Sequence, residues 1–339
     1  MKLNNPLLFW DTAHRFLDVH LKNIRKLSDN TIEAYRDSLN LFIGFAETKL
    51  SIDRAKMNFE VFSKANLVRF QQHMLIGRKL APRTSNLRLT AIRSLLEYAS
   101  QEHMELMHLY VEACSMANTV VANLPLEYFE PVQLKALLTL PTKASKIDRR
   151  NNVILIFMYD TAARVNEVRT LRIENLHLNA KHPYVEVLGK GRKHRSIPLT
   201  EKTVGHLKKY ILEYHGSSPD PKKPLFYTSI KGTIDMISAD TFEKMIKKYV
   251  GLAAERGIEM PENVHCHMLR KTRAMDLYNA GMPLTHVQQL LGHESIDTTS
   301  GFYAFATLEN LVKSLNKVSP DTGEKVWDEK GNVTDPYRL

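Results

Sequence analysis

The sequence predicts a mainly α protein with a small β-sheet, divided into a helical N-terminal domain and a larger α+β domain. Three observations predict this. Apolar residues recur three and four apart in many segments; that pattern lapses between about residues 115 and 130; and one stretch, YVEVLGKGRKHRSIPL, alternates apolar and polar residues around a turn. At 339 residues the chain exceeds a single core of ordinary size, so two domains are expected. The boundaries read as a helical domain over 1–118, a linker over 119–129, a second domain over 130–317 and a tail over 318–339.

The first domain is read from three helices. In LSDNTIEAYRDSLNLFIGFAE, Asp29 or Asn30 is the expected cap, and Ile32, Tyr35, Leu39 and Ile43 form one apolar face. VRFQQHMLIG is a second helix. PRTSNLRLTAIRSLLEYASQ is a third, opened by Pro82 and carrying Leu89, Ile92 and Leu96 on one side. Arg83, Arg88 and Arg93 in this helix read either as phosphate contacts or as charges that solubilise an exposed face.

SMANTVVANLPLEYFEP sustains no helical period, and Glu130-Pro131 marks the start of a new helix, VQLKALLTL. NNVILIFMYDTAARVNEVRTL gives two helical stretches, followed by the basic hairpin. TVGHLKKYILEYH, TFEKMIKKYVGLAAERG, MLRKTRAMDLYNAG and THVQQLLG continue as helices, several of them followed by glycine. TLENLVKSLNKV predicts one more helix, and the final residues contain turn signals around a short VW pair.

Composition narrows the function class. No stretch approaches the roughly 18 to 20 unbroken apolar residues of a membrane span, and no secretory signal is readable at the N-terminus, so the cytosol is the expected compartment. Cys114 and Cys266 lie far apart and form neither a disulfide pattern nor a zinc framework. Lys and Arg number 47 against 37 Asp and Glu, a net charge of +10 that favours a polyanionic partner but also suits a merely solvated surface.

Four short constellations carry possible chemistry. Arg164 precedes Glu167 by three residues, which suits either a surface ion pair or a guanidinium held ready for phosphate. Gly189 and Gly191 flank Lys190 at the hairpin tip; the spacing is not that of a P-loop, so an ATP site finds no support. His267 and Arg270 share a helix face. His265, Cys266 and His267 raise a metal reading, but two histidines so spaced point apart on a helix and lack a second pair. Last, LLGHESIDTTSGFY places His293 just after a helix-ending glycine, with Tyr303 beyond it.

In this order, R-x-x-E, G-K-G, H-x-x-R, L-L-G-H and a following tyrosine resemble the tyrosine recombinase (phage integrase) family. The resemblance runs through TAARVNEVRTLRIENL, LGKGRKHRSIPL, HMLRKTR and VQQLLGHESIDTTSGFY, and NTIEAYRDSLNLFIGFAE with RTSNLRLTAIRSLLEYA resembles the family's core-binding domain. It implies a two-domain DNA clamp in which Arg164 and Arg270 are the catalytic arginines and Lys190 the hairpin lysine. His267 and His293 would be the active-site histidines, Tyr303 the nucleophile and Glu167 a supporting acid. It further implies double-stranded DNA as partner, a homo-tetramer on paired sites, accessory DNA-bending or element-encoded proteins, and neither cofactor nor metal. Tyr303 follows His293 by ten residues, one more than is usual in the family, with the extra residue near Ser300-Gly301.

That spacing and the tail favour an integrase or tyrosine transposase of a mobile element over a Xer-type dimer-resolving recombinase. A DNA-binding module that has lost catalysis is disfavoured because every catalytic residue type is present. A metal-dependent nuclease would require clustered carboxylates, and none stands out.

Overall fold

The computed structural model describes residues 3–122, 127–141, 145–189, 194–230 and 232–292. The chain divides into two compact units, Met1–Leu124 and Pro125–Leu339.

The first unit is helical. Helix α1 (Pro6–His14) runs on into a π-helical stretch over Arg15–Ile24, and α2 (Asp29–Lys49) follows. Then come α3 (Lys64–Gln72) with a π-helical end over His73–Gly77, α4 (Pro82–Glu102) and α5 (Met107–Cys114). The cap of α2 is Ser28, not Asp29 or Asn30. Ser28 has extended backbone and its side chain accepts the Thr31 N–H at 3.3 Å, while Asp29 already lies in the first turn. All three residue types can cap; the one outside the helical backbone does so. Ile32, Leu39 and Ile43 are buried, and the Phe42 ring centroid lies 4.6 Å from that of Phe62 and 5.1 Å, edge to face, from that of Phe70. Each such ring buries a large apolar area and gains further from tilted or edge-to-face contact.

In the same unit, Arg88 donates to the Ala34 carbonyl and the Ser38 hydroxyl at 3.1 and 3.0 Å, joining α4 to α2. Arg93 donates to the Ala113 and Met116 carbonyls and to Asn118 at 2.8 to 2.9 Å, tying α4 to the end of α5. Both guanidinium groups are anchored on protein acceptors, whereas Arg83 is exposed.

In the second unit, α6 (Pro131–Thr139), α7 (Lys146–Thr161) and the short α8 (Val165–Arg169) lead into a three-stranded antiparallel sheet. Its strands are β1 (Leu176–His177), β2 (Tyr184–Leu188) and β3 (His194–Pro198), with Val187 opposite Arg195 and Val185 opposite Ile197. Helix α9 (Glu201–His215), a separate hairpin of β4 (Tyr227–Ile230) and β5 (Thr233–Met236), and α10 (Ala239–Glu255) follow. The unit continues with α11 (His267–Asn279) and α12 (Leu284–Leu291). Ile154, Leu155, Phe157 and Met158 of α7 are all buried, so this helix runs through the core, as its long apolar stretch predicts. The expected hairpin is β2–β3. Strand β1 and the β4–β5 hairpin were not anticipated: the first is two residues long, and every residue of β5 is exposed, which leaves no apolar alternation to read. No described helix is long and apolar enough to cross a membrane. The helix expected from TLENLVKSLNKV and the tail over 318–339 lie outside the described residues.

Candidate active site

The site starts at the corner between α7 and α8. Ala162 ends α7 in the left-handed region, with φ 49°, although it carries a side chain. That conformation costs about 1 kcal/mol. It turns the Ala162 carbonyl toward Arg270, whose Nη1 donates to it at 2.7 Å. Two residues on, Arg164 stands just before α8, and its backbone N–H donates to Glu167 at 2.7 Å.

Glu167 is 4 % exposed and carries two guanidinium partners. Arg164 Nη1 donates to Oε1 at 2.9 Å; Arg195, from β3, donates to Oε1 and Oε2 at 2.7 and 2.8 Å. Burial alone would raise the pKa of the Glu167 carboxyl, but the bonds from Arg195 and Arg164 outweigh it and hold the group below its ordinary value. The carboxylate is therefore ionised at neutral pH.

Three arginines meet the end of α12. The last carbonyls of a helix have no intrahelical donor, and the helix dipole makes that end negative. Arg195 Nε donates to the Leu290 carbonyl at 3.2 Å, Arg270 Nη2 to Leu291 at 2.5 Å and Arg164 Nη2 to Gly292 at 3.3 Å. Three successive carbonyls thus take three guanidinium groups. Glu167 pairs with two of the three, Arg164 and Arg195. Gly292 is itself required there, because its φ is 63° and a Cβ would lie 3.0 Å from Arg195 Cδ and Nη1.

Arg270 comes from α11 and is 3 % exposed. The helix is held against α7 by the Arg273–Asp160 ion pair at 3.0 Å and by the Tyr159 hydroxyl donating to Asp276 at 2.7 Å. Its amino end is fixed by Glu243 of α10, whose two carboxylate oxygens accept the Cys266 N–H at 3.2 Å. His267 opens the helix. Enclosure by surrounding atoms, then the charges of Arg270, Lys271, His265 and Arg164, push the His267 imidazole down to about 4, although the residue as a whole remains exposed. His267 is neutral at pH 7.

A cavity of about 600 Å³ is lined by Arg164, Glu167, Gly189, Glu243, Cys266 and His267 among others. Gly189 brings the base of the basic hairpin to this cavity; Lys190 lies outside the described residues, as do His293 and Tyr303. Of the expected site residues, the structure brings together Arg164, Glu167, His267 and Arg270. The Cys266 thiol is buried in the core, and burial followed by the Glu243 carboxylate raises its pKa.

The model of the phage integrase family matches residues 127–309, and that of the phage integrase N-terminal SAM-like domain matches residues 14–103. The chain belongs to the phage integrase family. It is a site-specific tyrosine recombinase, an enzyme that cleaves and rejoins DNA. The recombinase is 28 % identical over 301 residues to the "Putative integrase/recombinase y4rC" of Sinorhizobium fredii, covering 88 % of each chain. It is likewise 28 % identical over 299 residues to the tyrosine recombinase XerD of Vibrio cholerae, covering 87 % of this chain and 92 % of that one. Its fold matches the integrase of the Tn1549 transposon, solved with a circular intermediate DNA, at a TM-score of 0.70 and 16 % identity, covering 94 % of this chain and all of that one.

Two members of the recombinase's site escaped sequence reasoning. Arg195 stands among several basic residues in GRKHRSIPL; the usable signal was the strand period, which puts it on the same face as the buried Ile197. Glu243 carried no signal, since a glutamate among lysines on a helix reads as a solvated face.

Proposed function

We propose that the recombinase cuts and rejoins duplex DNA through a 3'-phosphotyrosine bond to Tyr303. Arg164 and Arg270 hold the scissile phosphate, and His293 hydrogen-bonds it. Arg83 contacts the DNA backbone, with Arg88 and Arg93 available through whatever N–H groups their protein bonds leave. The observation that supports this most is the convergence of Arg164, Arg195 and Arg270 on the α12 terminus, beside a cavity that Arg164 and His267 line.

A phosphodiester gains negative charge on its non-bridging oxygens as a nucleophile adds, and guanidinium groups fixed in advance stabilise that charge without reorganising. The Tyr303 oxygen attacks phosphorus, the bond from phosphorus to the 5' oxygen breaks, and the 3' phosphate remains on the tyrosine. The phenol has an ordinary pKa of about 10, so its proton needs an acceptor, and a neutral His267 can take it. The departing 5' oxygen needs a proton, which Lys190 supplies from the hairpin. In rejoining, a 5' hydroxyl attacks the phosphotyrosine and the protons return. One phosphodiester is exchanged for another, so no nucleotide is consumed.

We assign the reaction to integration, excision or transposition of a mobile element, carried out by four protomers on two sites in the cytoplasm, at the nucleoid. The one-residue longer spacing before Tyr303 and the residues beyond it support this. Dimer resolution is the second reading, since the XerD of Vibrio cholerae matches at the same 28 % as the integrase-like relative. The test incubates wild type and Tyr303→Phe with nicked suicide duplexes in EDTA, one set carrying element ends and one a dimer-resolution site. A covalent protein–DNA band with wild type alone is the expected result, and the duplex that yields it decides between the two roles. Binding without the band on either duplex would overturn the catalytic reading.

A further inference from the structure

Arg195 differs from Arg164 at the α12 terminus. It does not line the 600 Å³ cavity, and its side chain is 14 % exposed against 35 % for Arg164. All three of its nitrogens are engaged: Nη1 and Nη2 take the two oxygens of Glu167, and Nε takes the Leu290 carbonyl. Its Cδ, Nη1 and Cζ would lie 3.0 to 3.2 Å from a Cβ on Gly292, so it also rests on the backbone that leads into His293. One side chain therefore joins the β2–β3 hairpin, the α8 carboxylate and the α12 terminus.

We propose that Arg195 is a positioning residue for strand cleavage: it satisfies Glu167 with a two-pronged clamp and so leaves Arg164 directed at the phosphate. The inference rests on the reading of Arg164 as a phosphate-holding group. A carboxylate with one arginine partner favours the paired, two-pronged geometry with that partner. Were Arg195 absent, Glu167 would draw Arg164 into that pairing and away from the Gly292 carbonyl and the cavity. With Arg195 present, Arg164 gives Glu167 one Nη only, and its other Nη reaches Gly292. The same clamp ties the strand that follows Lys190 to the backbone that precedes His293, so residues distant in sequence share one frame.

Among the described residues, the charged groups bonded to Glu167 are Arg195 of β3 and Arg164 at the start of α8, with Glu243 of α10 and His267 of α11 lining the same cavity. Arg195→Gln removes the larger of the two cationic contributions that keep Glu167 ionised. A residue that only supported the fold would not change the pH dependence of cleavage in protein that remains folded.

The test uses the full chain as wild type, Arg195→Gln and Arg195→Lys. It measures duplex affinity and then the single-turnover rate of covalent-complex formation on the suicide substrate from about pH 3.5 to 9, which spans the ordinary carboxylate range. For Arg195→Gln we expect affinity within about threefold of wild type, a rate about 100-fold lower, as misplacement of a reacting partner by about 1 Å produces, and an acid limb moved to higher pH. For Arg195→Lys, which keeps the charge and loses the fork, we expect the acid limb of wild type with a rate still reduced.

Wild-type rate and pH profile in Arg195→Gln would overturn the inference while leaving the phosphotyrosine reading intact. If Arg195→Gln fails to fold, Arg195→Lys decides: a wild-type rate sinks the proposal, and a reduced rate with retained affinity supports it. A parallel loss of affinity and rate with an unmoved acid limb would make Arg195 a purely structural residue. No covalent complex from the wild type would remove the phosphotyrosine reading and this inference with it.

Discussion

Both units fasten arginines to backbone carbonyls, and they do so to different ends. In the first unit Arg93 reaches the Ala113 and Met116 carbonyls near the end of α5, and Arg88 reaches Ala34 across from α4. Each works alone and joins one helix to another. In the second unit Arg164, Arg195 and Arg270 converge on three adjacent carbonyls, with the buried Glu167 carboxylate bonded to Arg164 and Arg195 and a cavity alongside. The hydrogen bond is the same in both places. What differs is arrangement: in the first unit each guanidinium joins two helices by itself, whereas in the second all three share one helix terminus and two of them also bond Glu167.

The comparison breaks most visibly at Arg270 and Arg93. Arg270→Ala should lower the rate of covalent-complex formation by about 10³-fold, the upper range for removal of one preorganised donor from an oxyanion site. Arg93→Ala should leave that rate unchanged in folded protein while lowering stability by about 1 to 3 kcal/mol, because the carbonyls it serves lose their donor. Single-turnover cleavage and denaturant unfolding of both variants check this. A large rate effect at Arg93 would erase the distinction between the units.

Glu167 sharpens the same point from the anionic side. Glu167→Gln should cost about 3 kcal/mol, since removal of one partner from a buried ion cluster leaves the others uncompensated. The pH dependence has a definite sign. The folded carboxyl titrates below its ordinary value, so the folded state binds fewer protons than the unfolded one as pH falls from that value. Its stabilisation is complete above the ordinary carboxylate range and is lost as pH falls through the folded pKa. Unfolding midpoints of wild type and Glu167→Gln should therefore converge toward low pH; a constant gap would contradict the depressed pKa.

A smaller effect is expected at Glu243. Its carboxylate takes the Cys266 N–H at the start of α11 and so sets where His267 begins. Glu243→Ala should cost about 1 kcal/mol, as loss of a helix cap does, and should slow cleavage more than it weakens DNA binding. Urea unfolding beside single-turnover kinetics measures both. Weakened DNA binding with unaltered cleavage would place Glu243 in the DNA contact instead.

The parts of the molecule that follow a repeating pattern were legible in advance. Helices α2 and α4 show their apolar faces at Ile32, Leu39 and Ile43 and at Leu89, Ile92 and Leu96, all of which are buried, and the β2–β3 hairpin shows its alternation. Single-residue decisions were less legible. Ser28 and not its two neighbours caps α2, because the backbone conformation at each position, not the residue type, decides between them. At the site, spacing and order exposed Arg164, Glu167, His267 and Arg270. Arg195 and Glu243 make their contacts with residues 28 and 23 positions away, so the strand period could place Arg195 on the inward face but could not name its partner.

The last contrast concerns the histidine at the head of α11 and needs no large rate effect to be seen. Enclosure and then the neighbouring cations bring His267 down to about 4, well below the ordinary 6.5. Between those values the unfolded chain holds a proton that the folded protein lacks, so its contribution to stability is full above about pH 6.5 and declines as pH falls toward 4. A phosphodiester in the cavity places negative charge among the same cations and reverses their effect on the ring. The imidazole pKa should then rise by about one unit or more, within the range a nearby opposite charge produces. DNA binding should accordingly take up a fraction of a proton below pH 6.5 and tighten modestly as pH falls. Histidine-selective NMR titration with and without a bound duplex, with His267→Gln to assign the resonance, measures the shift directly. A resonance at about 4 that does not move on binding would place the phosphate away from His267 and shift the proton-accepting role to another group.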